Sequence, residues 1–363
     1  MNRAVIDHRG PEFSTMVTRL LEDLRWIFGA PEHVFVFPSS ASGCWEAALV
    51  NTLSPGDHVL VFNNGFFAGK WGAIAERLGF NVETLEGDWR YPVDARAIRD
   101  RLKADQDHSI QAVLVVHNET STGVTSDIAE VRAVLDSVEH PALLMVDAVS
   151  SLGATEYQQG EWRVDVTVSG SQKGLMLPPG LGFCAVSSKA IEWHERATSN
   201  RGYWDFTDML DVNRFGFFPY TPATTLLYGL EEALVMLREE GLDMVFARHA
   251  RLAEATRLAV SGWGLDNFCA DAIAYSNSGT TVQMPDRFDA DAFRGVVLKR
   301  FNMSLGSGLG RLKEKVFRIG HLGDLNELML MGALSGVEMG LKVEGIPHED
   351  RGLRAAIEFL VAS

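Results

Sequence analysis

Two short runs, Val113-Leu-Val-Val116 and Ala142-Leu-Leu-Met-Val146, are apolar at every position. A strand with one face in water alternates apolar and polar residues, so an unbroken run predicts a strand covered on both faces. Between them, residues 126–138 place Ile128, Val131 and Leu135 at helical spacing, with Ser126 where an N-cap belongs. Strand, helix and strand of this kind predict a βαβ unit and a doubly wound, largely parallel sheet.

The alternation runs in both directions. Residues 34–37 predict a strand, 42–53 a helix closed by the turn Ser54-Pro-Gly-Asp57, 58–62 a strand and 67–78 a helix. Residues 164–169 and 182–187 are further strand candidates. A long helix is predicted over 221–240, with Leu227, Leu230, Leu234 and Leu237 in one stripe, Pro222 in its first turn and Gly241 ending it. Then the pattern changes to a helix over 243–261, strands, a helix over 289–300 and a final helix over 325–341. The expectation is an α/β fold in two parts: a large domain over 1–240 and a smaller C-terminal α+β domain over 241–363.

Composition narrows the partners. A net charge of -15 over 363 residues disfavours nucleic acid and anionic membrane surfaces. No apolar run approaches a membrane span, and the first ten residues hold no apolar signal core. Cys44, Cys184 and Cys269 form neither a CxxC pair nor a metal-type spacing, so no metal is expected and the compartment reads as cytoplasmic.

The chemistry gathers where strands end. Lys173 follows a buried strand in Val168-Ser-Gly-Ser-Gln-Lys-Gly174, among small residues that let a flat ring or a phosphate approach the backbone. By itself that segment equally describes a solvent-exposed loop lysine. Asp147 ends the apolar strand 142–146, at the carboxyl edge where open α/β sheets bind ligands. A carboxylate there needs a cation, either a protonated ring nitrogen or a core arginine, unless it caps a helix. Phe37-Pro-Ser-Ser-Ala-Ser-Gly43 leads into a helix, so its hydroxyls and free amides suit a phosphate, or else form an ordinary capping turn. Phe67 could stack on a ring or pack in the core. His117-Asn-Glu-Thr-Ser-Thr-Gly123 delivers a third polar loop to the same edge. Arg318, inside the apolar run Val316-Phe-Arg-Ile-Gly320, needs an anion: a substrate carboxylate or a domain-interface ion pair.

Taken in order, Trp45-Glu-Ala-Ala-Leu-Val-Asn-Thr-Leu-Ser-Pro-Gly-Asp57, His117-Asn-Glu-Thr-Ser-Thr-Gly-Val124, Val146-Asp-Ala-Val-Ser-Ser-Leu-Gly153, Ser169-Gly-Ser-Gln-Lys-Gly174, Pro219-Tyr-Thr-Pro222, Ala247-Arg-His-Ala250 and Phe317-Arg-Ile-Gly-His-Leu-Gly323 resemble the class V aminotransferases of pyridoxal-phosphate fold type I. The nearest branch resembles the serine–glyoxylate and alanine–glyoxylate aminotransferases. The resemblance implies a mostly parallel sheet of the seven-stranded type and pyridoxal 5'-phosphate as cofactor. It implies that Lys173 is the Schiff-base lysine and proton shuttle, and that Asp147 pairs with the ring nitrogen. Ser40, Ala41 and Ser42 would lie on the phosphate loop, with Gln172 beside it. Phe67 and Val149 would cover the two ring faces, and Thr120 would sit near the ring hydroxyl. Arg318 would bind the substrate carboxylate. Thr221, and the pair His8-Arg9, would reach the site of a neighbouring subunit, which implies a homodimer with shared sites.

Two departures stand out. The chain begins almost at His8-Arg9, where the family carries a longer lead-in, which implies a shortened start or a more open pocket. Ala41 stands where relatives often have glycine, so that loop must use ordinary backbone angles. The implied reaction is a ping-pong transfer of an amino group from a small L-amino acid, serine first, to glyoxylate, giving glycine. Alanine, aspartate and hydroxyaspartate are the alternative donors, and Arg9 is the cation a second carboxylate would use. A cysteine desulfurase would have His where Gln172 stands. An inert cofactor-binding module is the rival outside catalysis.

Overall fold

The computed structural model describes residues 3–362. Its main sheet has seven strands: β1 (His33–Phe37), β2 (His58–Asn63), β3 (Asn81–Glu86), β4 (Ile110–Val116), β5 (Leu143–Asp147), β6 (Val166–Gly170) and β7 (Gly182–Val186). Their order across the sheet is β1-β7-β6-β5-β4-β2-β3. Only β7 runs against its neighbours β1 and β6; the other pairings are parallel. The central strands β5, β6 and β7 are buried at every residue, which is why their sequences carry no polar alternation. β3 lies at the sheet's edge and is only partly buried, and its mixed sequence Asn-Val-Glu-Thr-Leu-Glu hides it from an apolar-run search.

Helices cover both faces. α1 (Pro11–Ile27) carries Phe13, Met16, Val17, Leu20, Leu24 and Ile27 on its buried side, with Pro11 at its start, where the missing N–H costs nothing. This helix, which the strand–helix alternation does not announce, packs in the same core cluster as Leu144 and Val146 of β5. α2 (Ala41–Thr52) buries nine of its twelve residues, because the sheet lies under it and the helix Ser188–Arg196 lies over it. α3 (Phe66–Arg77) buries Trp71, which stacks on Trp45 of α2 with ring centroids 6.0 Å apart. Fully burying an aromatic side chain of this size contributes about 1.5–3 kcal/mol.

Beyond residue 262 a four-stranded antiparallel sheet forms, with β8 (Gly279–Gln283) and β9 (Val316–Gly320) at its centre. Its core of Leu252, Trp263, Val282, Phe293, Phe317 and Leu334 forms a cluster of its own.

Local expectations need three corrections. The helix Ile128–Ser137 is capped by Asp127, whose carboxylate accepts from Glu130 N, and not by Ser126. Ser126 Oγ instead accepts from Val93 N, fastening the loop ahead of Ala95–Ala104. The long helix begins at Thr224, because Pro222 and the turn around it precede the first helical hydrogen bond. The last helix is Gly352–Ala362, beyond the helix Glu327–Glu344.

Candidate active site

Every strand of the central sheet except β7 points its carboxyl end to one edge, and most of the candidate residues meet there. Ser40, Ala41, Ser42, Trp45, Phe67, Thr120, Asp147, Val149, Gln172 and Lys173 line one cavity of about 140 Å³, with Val116 and Asn118.

Lys173 lies in the loop that follows β6. Gly174 makes that loop possible: a Cβ there would stand 2.2 Å from Leu152 O, inside the turn at Gly153. Lys173 is half-buried. Burial first, and then the charge of Arg318, push its pKa down, against the opposing pull of Asp147. A lysine in such a place loses its proton more easily, as a nucleophilic amine must.

Asp147 closes β5 and is almost wholly buried. Its Oδ1 accepts from Val149 N at 2.8 Å and its Oδ2 from Trp45 Nε1 at 2.8 Å. Both donors are uncharged. Burial therefore dominates and pushes the pKa up to about 7, helped by Glu119 and opposed by the two hydrogen bonds and Lys173. A buried carboxylate in this state calls for a cation placed directly against it.

Ser40 occupies the N-cap position of α2, yet no side chain caps that helix. The free amides of its first turn therefore face the cavity as an anion site. Ala41 opens the helix with ordinary angles, as expected where glycine is absent. Gln172 Oε1 is buried there without a partner among the described residues. Thr120 Oγ1 lies 2.5 Å from Ser150 Oγ.

Arg318 stands on β9, half-buried, beside this cavity. Its Nε donates to Ser307 O at 2.8 Å and its Nη1 to Thr120 O at 2.9 Å, so its hydrogen bonds go to backbone carbonyls and not to a carboxylate. The domain-interface ion pair is thus not the arrangement found. Burial lowers its pKa and Glu119 raises it.

Three expected residues lie elsewhere on this chain. His8 and Arg9 line a cleft with Phe217, Phe218, Pro219 and Tyr220, and Thr221 lines an adjoining one. They form one neighbourhood, apart from Lys173.

Sequence reasoning missed two contributors. Trp45 donates to Asp147; its indole N–H, one turn after Ala41 on the helix that opens at the phosphate-loop candidates, was the available signal. Glu119 is completely buried under α3, and a glutamate flanked by small polar residues after an apolar strand gave little sign of that.

The site thus holds three unmet demands: an anion at the start of α2, a cation at Asp147 and a carboxylate at Arg318. A phosphorylated pyridine that reacts with an amino acid meets all three. Comparison with known proteins agrees. The sequence profile of the class V aminotransferases matches residues 2–281, and the chain belongs to that family. It is 48% identical over 363 residues to a serine–glyoxylate aminotransferase of Hyphomicrobium methylovorum, covering 99% of this chain and 90% of that one. It is 43% identical over 355 residues to an L-aspartate–glyoxylate aminotransferase of Paracoccus denitrificans, covering 97% and 90%. The crystal structure of a ureidoglycine–glyoxylate aminotransferase from Bacillus subtilis superposes with a TM-score of 0.92 at 27% identity, covering 99% of this chain and 93% of that one. The protein is a transaminase and its cofactor is pyridoxal phosphate.

Proposed function

We propose that this enzyme moves the amino group of serine to glyoxylate, in two half-reactions at the Lys173 cavity. The observation that carries the reading is the conjunction of Lys173, an uncompensated Asp147 and a carboxylate-free Arg318 around one cavity. The likeness to the Hyphomicrobium methylovorum enzyme supports serine and glyoxylate as the substrates.

Bound pyridoxal phosphate supplies an electron sink that stabilises negative charge at the amino acid's α-carbon. The residues do the rest. Lys173 would hold the cofactor through its Nζ, and its free amine would carry the proton away from and back to the substrate. Asp147 would hold a protonated ring nitrogen, the cation that its buried carboxylate lacks within the chain. The α2 amides with Ser40, Ala41, Ser42 and Gln172 would hold the phosphate. Phe67 and Val149 would flank the ring and Thr120 would hold its hydroxyl, while Arg318 would grip the α-carboxylate through its remaining N–H groups.

The grouping of His8, Arg9 and Thr221 around one stretch of surface supports a homodimer in which each chain lends that stretch to the other's cavity. Thr221 would then complete the phosphate site. We also infer two domains, divided at 240/241, because the small sheet has a core of its own. Cys44, Cys184 and Cys269 are unpaired and buried, which supports a reducing, cytoplasmic compartment. None of them lines the cavity, which favours transamination over desulfuration.

A single-turnover screen decides the donor. Holoenzyme mixed with serine, alanine or aspartate, without glyoxylate, should lose its lysine-bound absorbance fastest with serine. Glyoxylate should then restore it and yield glycine. Aspartate reacting faster than serine, with that advantage lost on Arg9→Ala, would move the assignment to a dicarboxylate donor; bleaching by none of the three would overturn the transamination reading.

A further inference from the structure

α3 begins at the cavity and carries Phe67 in its first turn, yet its own N-cap, Gly65, offers no side chain. The capping comes from a loop more than fifty residues along the chain. Glu119 Oε2 accepts from Phe67 N at 3.0 Å and Ala68 N at 3.2 Å. Glu119 Oε1 accepts from Ser121 N at 3.0 Å and Ser121 Oγ at 2.7 Å. Ser121 Oγ in turn accepts from Phe66 N at 3.0 Å. The first three amides of α3 are therefore all taken by two side chains of one short loop.

Gly65 is shaped to admit this arrangement. A Cβ there would stand 2.1 Å from Glu119 Cγ and 2.6 Å from Oε2. The backbone of Gly65 is extended, so the requirement is for space and not for unusual angles. Three of the four donors around Glu119 are N–H groups, which cannot accept a proton in return, so the pocket is built for a carboxylate with both oxygens engaged. Burial holds the Glu119 carboxyl pKa above its usual range, against the opposing pull of these same donors. Between Glu119 and Ser121 stands Thr120, whose carbonyl takes Arg318 Nη1 at 2.9 Å and whose hydroxyl meets Ser150.

One buried side chain thus underlies two parts of the site, one on α3 and one on β9. We propose that Glu119 is a positioning residue, which fixes Phe67 over the cofactor ring and, through the same loop, fixes Thr120 and with it Arg318 against the substrate carboxylate. This rests on the roles given above to Phe67 and Arg318. A glutamine at position 119 has one accepting oxygen in place of two, so it cannot accept from both the α3 amides and Ser121 N.

The test is the holoenzyme of Glu119→Gln, assayed well below its own Tm with serine and glyoxylate. A misplacement of about 1 Å at a reacting site costs on the order of 100-fold, so kcat/KM should fall by about that factor. The KM for serine should rise, since Arg318 is displaced, and the circular dichroism of the bound cofactor should change, since Phe67 is displaced, although neither side chain is altered. Ser121→Ala removes one of the four donors to Glu119 and the acceptor for Phe66 N, and should move the same quantities in the same direction by less. It carries the test if Glu119→Gln does not fold. A simple helix cap would lower Tm alone: unchanged kcat, serine KM and cofactor dichroism in both folded variants would overturn the proposal. Lys173→Ala, run beside them, separates the two claims. Its inactivity with normal Glu119→Gln turnover sinks only the positioning role; its normal turnover sinks the site assignment itself.

Discussion

Asp105 and Asp147 sit at opposite edges of the same sheet, and their surroundings differ in kind. Asp105 lies at the amino edge, just ahead of β4, and receives Ser109 Oγ at 2.6 Å, Ile110 N at 2.8 Å and His140 Nε2 at 3.2 Å. Those partners outweigh the cost of burial and hold its pKa at about 2. Asp165, at the same edge, faces Leu144 N at 2.8 Å, Lys189 Nζ at 3.4 Å and Arg132 Nη1 at 3.7 Å. Asp147, at the carboxyl edge, has two neutral donors and a pKa raised to about 7. The amino edge compensates its buried charges from within the chain. The carboxyl edge leaves one without a cationic partner, and that deficit is what the proposed role of Asp147 rests on.

The largest effect expected from this contrast is on turnover. If Asp147 is the partner of a buried ring cation, as proposed, Asp147→Asn removes it at a cost of about 3 kcal/mol or more, so kcat should fall on the order of 100-fold or beyond. Asp105→Asn should leave steady-state turnover within about twofold and instead lower the melting temperature, having lost a charge-assisted hydrogen bond of about 2 kcal/mol. Similar kinetic losses in both variants would break the distinction between the edges.

A smaller and sharper effect is the pH dependence of stability in the cofactor-free protein. The folded pKa of Asp147 lies above its ordinary value of 3.8, so between about pH 7 and pH 4 the folded state binds the extra proton. Lowering the pH through that window stabilises the wild type relative to Asp147→Asn. Asp105 has the opposite sign. Its folded pKa is depressed, so its contribution is present above 3.8 and is lost as the pH falls toward about 2. Melting temperatures of the wild type and both variants across pH check this; parallel pH curves for all three would remove the electrostatic basis of the comparison.

Much of this arrangement was legible in the sequence. Unbroken apolar runs identified β4 and β5, and the residue that follows such a run must emerge at the carboxyl edge, which is how Asp147, His117 and Lys173 could be grouped before any coordinates. The reach of Arg318 into that edge was not legible from its own segment, because it depends on how β9 meets the Thr120 loop. α1 was hidden because nothing in its amphipathic pattern relates it to the strand alternation, and Glu119 because its value lies in amides more than fifty residues away. Ser126 and Asp127 are both good caps one residue apart, and only the loop ahead of Ala95–Ala104 decides between them.

The most direct measurement of the central claim is chemical. Borohydride reduces the double bond between a lysine nitrogen and bound pyridoxal phosphate, which makes the attachment permanent. Digestion and mass spectrometry of the reduced holoenzyme should then find the phosphopyridoxyl group on Lys173, in the peptide that contains Ser171-Gln-Lys-Gly174. The group on any other lysine, or on none, would contradict the site described here.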